Sequence, residues 1–194
     1  MKIIDVPQYG PMFRFTDSDV YWSLHLLSDG RRMGRKKLAE SVGVGEGSMR
    51  RILEFLRDHD YILIKQTGIT ITARGKAFLE KIPIRPVDVN IGGSAVGTYQ
   101  QGVLVSGAAG KIVNGMEQRD AGIKAGAEGC TTLVIREGRL MIPPDWDLDK
   151  ESPDLAYSIR KETGITNEDI LIVGSSMDFS AAIKAALTAA LELI

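Results

Sequence analysis

The sequence predicts an α+β chain in two domains, a helical N-terminal part closed by a β-hairpin and a mixed C-terminal part. Three observations carry this. Apolar residues between positions 17 and 60 recur at helical spacing, whereas those between 61 and 72 fall in two short β-rich runs joined by Gln66-Thr67-Gly68. Pro83 and Pro86, followed by Gly92-Gly93-Ser94, then punctuate the chain as a linker does. Charge divides at the same place: residues 1–85 hold 15 Lys/Arg against 10 Asp/Glu, and residues 86–194 hold 9 against 15. The expected boundaries are 1–84 for the first domain, 85–94 for the linker and 95–194 for the second domain.

In the N-terminal part, Asp17 or Ser18 is placed to cap a first helix running to Ser28, with Val20, Leu24 and Leu27 on one face. Asp29-Gly30 ends it, and Arg31, Arg32, Arg35, Lys36 and Lys37 then put five cations in seven residues. A second helix over 35–42 turns Leu38 and Ala39 inward. Gly43 closes it, because glycine enters the left-handed region without a Cβ penalty. The third helix, 46–60, carries Met49, Ile52, Leu53 and Leu56 at i, i+3, i+4, i+7, a single buried stripe. Tyr61 to Lys65 and Ile69 to Thr72 make the hairpin, and Ala73 to Ile82 a closing helix.

The second half reads as a strand at Val103–Val105 ended by Ser106-Gly107, then a helix from Glu117 to Ala127. A hairpin from Thr131 to Ile142 turns at Glu137-Gly138. A helix from Pro153 to Thr163 has proline in its first turn and Gly164 at its end. A strand at Asp169–Val173 and a helix from Asp178 to Ile194 complete the chain. Without that last helix the order is βαββαβ, so an α/β sandwich of the ferredoxin-like type with an extra terminal helix is expected. In the last helix, Phe179, Ile183, Ala186, Leu187, Ala190, Leu191 and Ile194 form a stripe for its own sheet. Ala181, Ala185 and Ala189 form a second face suited to close approach by another subunit.

Two helices joined by a tight glycine turn and followed by a hairpin make the winged helix-turn-helix pattern. With the 49/52/53/56 stripe inward, the outer face offers Gly47, Ser48, Arg50, Arg51 and Glu54, at the helix end that enters the major groove. Arginine bonds two acceptors on guanine, glutamate accepts from cytosine, and serine reaches phosphate. Arg35, Lys36 and Lys37, with Lys65 and Gln66 on the wing and Arg74 and Lys76 beyond it, are placed for flanking phosphates. The plainer reading is a winged helix used for protein contacts, with its cations a solvated face.

Residues 21–79 resemble the winged-helix domains of bacterial and archaeal transcriptional regulators. Met33-Gly-Arg-Lys-Lys-Leu-Ala-Glu-Ser-Val-Gly-Val is similar to the second helix and turn of that family. Ser48-Met-Arg-Arg-Ile-Leu-Glu-Phe-Leu resembles its recognition helix, and Ile69-Thr-Ile-Thr-Ala-Arg-Gly-Lys its second wing strand and following helix. The whole chain also looks like archaeal two-domain proteins that join a winged helix to an uncharacterised C-terminal domain. Glu117-Gln-Arg-Asp-Ala-Gly-Ile-Lys-Ala-Gly-Ala carries that likeness, which implies no activity.

In the second domain, Glu117, Arg119 and Asp120 form a polar run at a helix start, where a first-turn acid is also favoured by the dipole. Ser175 and Ser176, between a strand and a helix, are placed to hold a carboxylate or phosphate, and equally to cap the helix alongside Asp178. Ser106 lies in a similar turn; if both turns share one edge of the sheet, they frame a pocket.

No catalytic residue is identified. Gly43-Val-Gly-Glu-Gly47 lies inside the helix-turn-helix, no phosphate-binding GxxxxGK[ST] occurs, and the two histidines, His25 and His59, belong to the N-terminal part. The lone Cys130 precludes an internal disulfide and has no histidine in its domain to activate it. No apolar run reaches the ~18–20 residues of a bilayer span, and the opening Met-Lys-Ile-Ile-Asp-Val-Pro has no secretory apolar core. The expectation is a cytoplasmic, homodimeric transcriptional regulator with double-stranded DNA and a small-molecule effector as partners, and with no cofactor, metal or membrane contact. Two alternatives stand beside it: an enzyme with an appended winged helix working through Glu117, Arg119 and Asp120, and a winged helix that docks proteins.

Overall fold

The computed structural model describes residues 2, 3 and 15–194, so most of the opening stretch read for a secretory signal lies outside the described residues. The chain divides into two compact units between Ile82 and Pro83.

In the N-terminal unit α1 spans Asp17–His25, α2 Arg35–Val42 and α3 Glu46–Asp58, followed by β1 (Ile62–Lys65), β2 (Gly68–Ile71) and α4 (Ala73–Glu80). Thr16, rather than Asp17 or Ser18, caps α1, because Asp19 reaches back to accept from the Thr16 backbone N–H at 2.7 Å and its hydroxyl at 2.9 Å. Gly43 ends α2 in the left-handed conformation, φ 77°. Val20, Leu24, Leu27, Leu38, Met49, Ile52 and Leu56 are each no more than 1% exposed, so the stripes of α1, α2 and α3 close on one core. Burying each such side chain is worth roughly 1.5–3 kcal/mol.

Lys65 and Gly68 face each other across the two-residue loop Gln66–Thr67. Met33 exchanges backbone hydrogen bonds with Ile69 at 3.1 and 2.9 Å, adding one residue of a third strand to the wing. α4 lies so close behind the wing that a Cβ on Gly75 would stand 2.3 Å from the Tyr61 carbonyl oxygen.

The C-terminal unit comprises β3 (Ile84–Val87), β4 (Tyr99–Val105), α5 (Met116–Lys124), β5 (Gly129–Arg136) and β6 (Arg139–Ile142). It continues with β7 (Trp146–Asp147), α6 (Leu148–Glu151), α7 (Pro153–Thr163), β8 (Ile170–Ser176) and α8 (Phe179–Glu192). One antiparallel sheet takes the order β3-β4-β8-β5-β6-β7. Part of the segment expected as a linker is therefore a strand: Ile84 and Val87 are buried in register with Val105 and Gly102. Pro86 is tolerated there because β3 is an edge strand, whose outer side needs no ladder donor.

The βαββαβ string is present as β4-α5-β5 and β6-α7-β8, each a β-α-β unit split by one strand, with β3 and the short β7 added. The interleaving departs from the ferredoxin-like order. There the first and third of the four strands are central; here β8 and β5, the last and the second, take the middle. The apolar content of Ile170-Leu-Ile-Val explains why β8 sits inside, since every residue of the strand is buried.

Leu171 and Val173 join a core with Leu104, Leu133, Ala156 and Ile159, which puts α7 on that face. By strand alternation Ile170, Ile172 and Gly174 face the other way, where a Cβ on Gly174 would lie 2.0 Å from the Ala182 carbonyl oxygen of α8. The expected sandwich is thus three layers, with α7 on one face and α5 and α8 on the other.

Of the alanine face of α8 expected to meet another subunit, Ala181 is half-buried and the rest is closed. Ala185 and Ala189 are fully buried within the unit, and a Cβ on Gly122 of α5 would lie 3.5 Å from that of Ala185. The small residues serve α5–α8 packing. Asp178 caps α8, accepting from the Ala181 N–H at 3.0 Å. The β5–β6 hairpin turns at Glu137 and Gly138 with φ 52° and 78°.

Gly174→Ala is expected to destabilise the C-terminal unit by about 3 kcal/mol, because its methyl overlaps backbone rather than a side chain that can rotate away. A denaturant midpoint unchanged from the parent would show that α8 does not pack on β8 in this way.

Candidate nucleic-acid interface

The turn Gly43-Val44-Gly45 aims α3 outward, with its stripe held in the core and its opposite face in solvent. Gly47, Arg50 and Arg51 are exposed, while Ser48 and Glu54 are half-buried. Open space surrounds Gly45 and Gly47 where side chains would stand, which leaves the head of α3 free for close backbone approach.

Arg50, Glu54 and Arg57, at i, i+4 and i+7, line a groove of about 320 Å³ between α3 and the wing. Lys65 and Gln66 line it from the wing, and Arg35 at the head of α2 lines it as well. Four cations against one carboxylate make this groove attractive to phosphate. Arg57 is shared with Asp58 at 2.9 Å, but that pair is exposed and adds little that would hold Arg57 back. Arg32 donates to the Thr67 hydroxyl at 3.0 Å, tying the lead-in of α2 to the wing tip.

Arg35, Arg50, Glu54 and Lys65 of the expected contact set therefore converge on one groove. Lys36, Lys37 and Arg51 are exposed outside its lining, and Arg74 stands 3.7 Å from Asp60. Arg57 alone of the four groove cations lies outside the expected contacts, and the tie from Arg32 to Thr67 was not anticipated. Arg57 was legible as the i+7 neighbour of Arg50, whereas the Arg32–Thr67 bond spans 35 positions and left no local signal.

The expected ligand residues of the second unit do not share a site. β4 and β8 are antiparallel, with Tyr99 opposite Ser176 and Val105 opposite Ile170, so Ser106 lies at the far end of the sheet from Ser175 and Ser176. Seven residues of strand separate the two turns, roughly 20 Å at the usual rise per residue. Ser176 accepts from the Asp178 N–H at 3.3 Å, and with the Met177 N–H it holds the exposed Glu128 carboxylate below its usual range. Glu117, Arg119 and Asp120 are exposed on α5, and only Arg119 among them lines a cleft.

Burial pushes the Cys130 thiol up to about 12, so it stays protonated and does not act as a nucleophile near neutral pH. Among the described residues no group of three or more His, Cys, Asp or Glu is placed to hold a metal, and no helix is long and apolar enough to cross a membrane.

Fold and groove together define a two-unit protein with an N-terminal winged helix and a C-terminal α/β/α unit. Residues 20–84 match the family described as the CggR N-terminal DNA binding domain. Residues 96–193 match the domain of unknown function DUF4443, and the chain belongs to that family.

Among solved structures, a hypothetical protein from Pyrococcus horikoshii is similar at 26% identity, with 93% of each chain covered and a TM-score of 0.75. A MarR family protein of Mycobacterium tuberculosis aligns over 34% of this chain and 50% of its own, at 25% identity and a TM-score of 0.31. No curated protein matches.

Cys130 in the native protein should react with iodoacetamide at pH 8 at least about a hundredfold more slowly than in denaturant, since the thiolate is the reactive form. Equal rates, followed by mass spectrometry, would contradict its burial.

Proposed function

We propose that the chain is a DNA-binding transcriptional regulator whose N-terminal unit reads duplex DNA and whose C-terminal unit senses a small molecule and dimerises. One observation carries the DNA reading. Arg35, Arg50, Arg57 and Lys65 line a single groove between the helix expected to enter the major groove and the wing, in a segment that matches a DNA-binding family. In this reading Arg50 and Arg51 reach base edges or phosphates, while Arg35, Lys36, Lys37, Lys65 and Arg74 hold the flanking backbone.

The acidic C-terminal half suits a unit that does not itself engage the DNA backbone. Pairing two winged helices suits the energetics, because one such module buries little surface and gains specificity from two half-sites.

Fluorescence anisotropy with duplex DNA from the region upstream of its own gene, against a random duplex of equal length and over a range of salt, tests the reading. Affinity should fall steeply with salt, with a logarithmic slope of about −0.9 per phosphate engaged. Arg50→Ala combined with Arg51→Ala should weaken binding by roughly tenfold or more without altering the melting temperature, since both side chains are exposed. Absence of binding at low salt, or affinity indifferent to salt, would end the proposal.

A further inference from the structure

β5 loses its outer neighbour part-way along. β6 pairs with it only from Val134 to Arg136, and β6 is then followed by Pro143 and Pro144, which have no N–H to extend the ladder. The edge of β5 at Thr131 and Thr132 is left open. Together with the head of α5 and the proline turn it bounds a cleft of about 480 Å³, a size typical of small-molecule sites.

Three features converge on this cleft. The first is the start of α5. Asn114, Gly115 and Met116 line the cleft, and the helix end they form has no side-chain cap, although Asn114 accepts from the Met116 N–H at 3.0 Å. The second is Thr132, which lines the cleft, is 3% exposed and has a hydroxyl with no hydrogen-bond partner. It lies directly beneath that helix end, where a Cβ on Gly115 would come within 3.5 Å of its Oγ1. A buried hydroxyl left unpaired is unfavourable, and an entering acceptor relieves it. The third is Arg119, one turn along α5, an exposed residue that lines the cleft and forms no ion pair among the described residues.

Uncapped helix N–H groups, a waiting hydroxyl and a free guanidinium are all donors. Glu117 and Asp120, the acids nearest in sequence, do not line the cleft, whereas Met116, Ile142 and Pro143 supply apolar walls.

We propose that this cleft binds a small organic anion, its carboxylate or phosphate held by the head of α5, Thr132 and Arg119, and its apolar body lying against Met116 and Ile142. Use of the site as an effector pocket rests on the regulator reading; the binding itself does not. Ser106, Ser175 and Ser176 lie outside it. Ser175 pairs with Gly129, and strand alternation from Gly129 puts Thr132 on the other face of the sheet.

The test is a titration of the isotope-labelled full chain with inorganic phosphate and, separately, with succinate, followed by amide chemical shifts. The expected result is saturable movement of the Glu117, Gln118 and Thr132 amides with at least one probe. Whichever probe binds more tightly identifies the headgroup. Arg119→Ala and Thr132→Val should each weaken that binding by about tenfold. Thr132→Val should not lower the melting temperature of the free protein, because it removes an unpartnered hydroxyl.

Movement confined to α3 and the wing, no saturation with either probe, or unchanged binding by Arg119→Ala would overturn the site. DNA affinity does not enter the readout. Failure here therefore leaves the DNA reading standing, and anion binding by a chain that ignores DNA leaves this site standing.

Discussion

The C-terminal unit depends on one strand. Ile170–Ser175 is paired along both edges and covered on both faces, joining β4 to β5 within the sheet, while α8 and α5 pack over that junction. Its four leading residues, Ile-Leu-Ile-Val, contribute apolar surface alternately to the α7 and α8 sides. Because the strand is central, α8 must lie close against it, and Gly174 lets the backbone of α8 come nearer than any side chain would permit. The same need for close approach recurs at Gly122, where α5 settles on Cys130 and Ala185. That seating fixes the head of α5 over Thr132, so the cleft there is a consequence of core packing.

The N-terminal unit obeys a different constraint. α3 must bury Met49, Ile52, Leu53 and Leu56 while presenting arginines a few positions away, and an amphipathic helix does both at once. The wing is held by Met33 pairing with Ile69, by the Arg32–Thr67 bond and by α4 against Tyr61. These contacts place Lys65 and Gln66 on one groove with Arg50 and Glu54. The groove is therefore a joint product of a helix surface and a hairpin set against it.

Much of the fold was legible because its signals are local. α2 and α7 begin and end where glycine, proline and apolar spacing mark them, and the α3 stripe is buried as its period implies. The misplacements share a cause, since each turned on which segments become neighbours. Ile84–Val87 is a strand only because β4 offers it an edge, and proline punctuation hid that. Ser106 follows β4, whereas Ser175 lies within β8, and antiparallel pairing sends them to opposite ends of the sheet. Ala185 and Ala189 look like a free small-residue face until α5 covers them.

The sequence by itself determined the two-part organisation, the winged helix with its cationic outer face, and most helices and strands, though not β3, β7 or α6. Helical period, strand alternation and turn chemistry act over a few residues and can be read there. Strand order was left to the tertiary structure, as were the three-layer arrangement, the separation of Ser106 from Ser175 and Ser176, and the convergence of Arg35, Arg50, Arg57 and Lys65 on one groove. Those outcomes depend on burial shared between distant segments. The strand most apolar on both faces takes the centre, and every residue farther out is positioned by where that strand puts its neighbours.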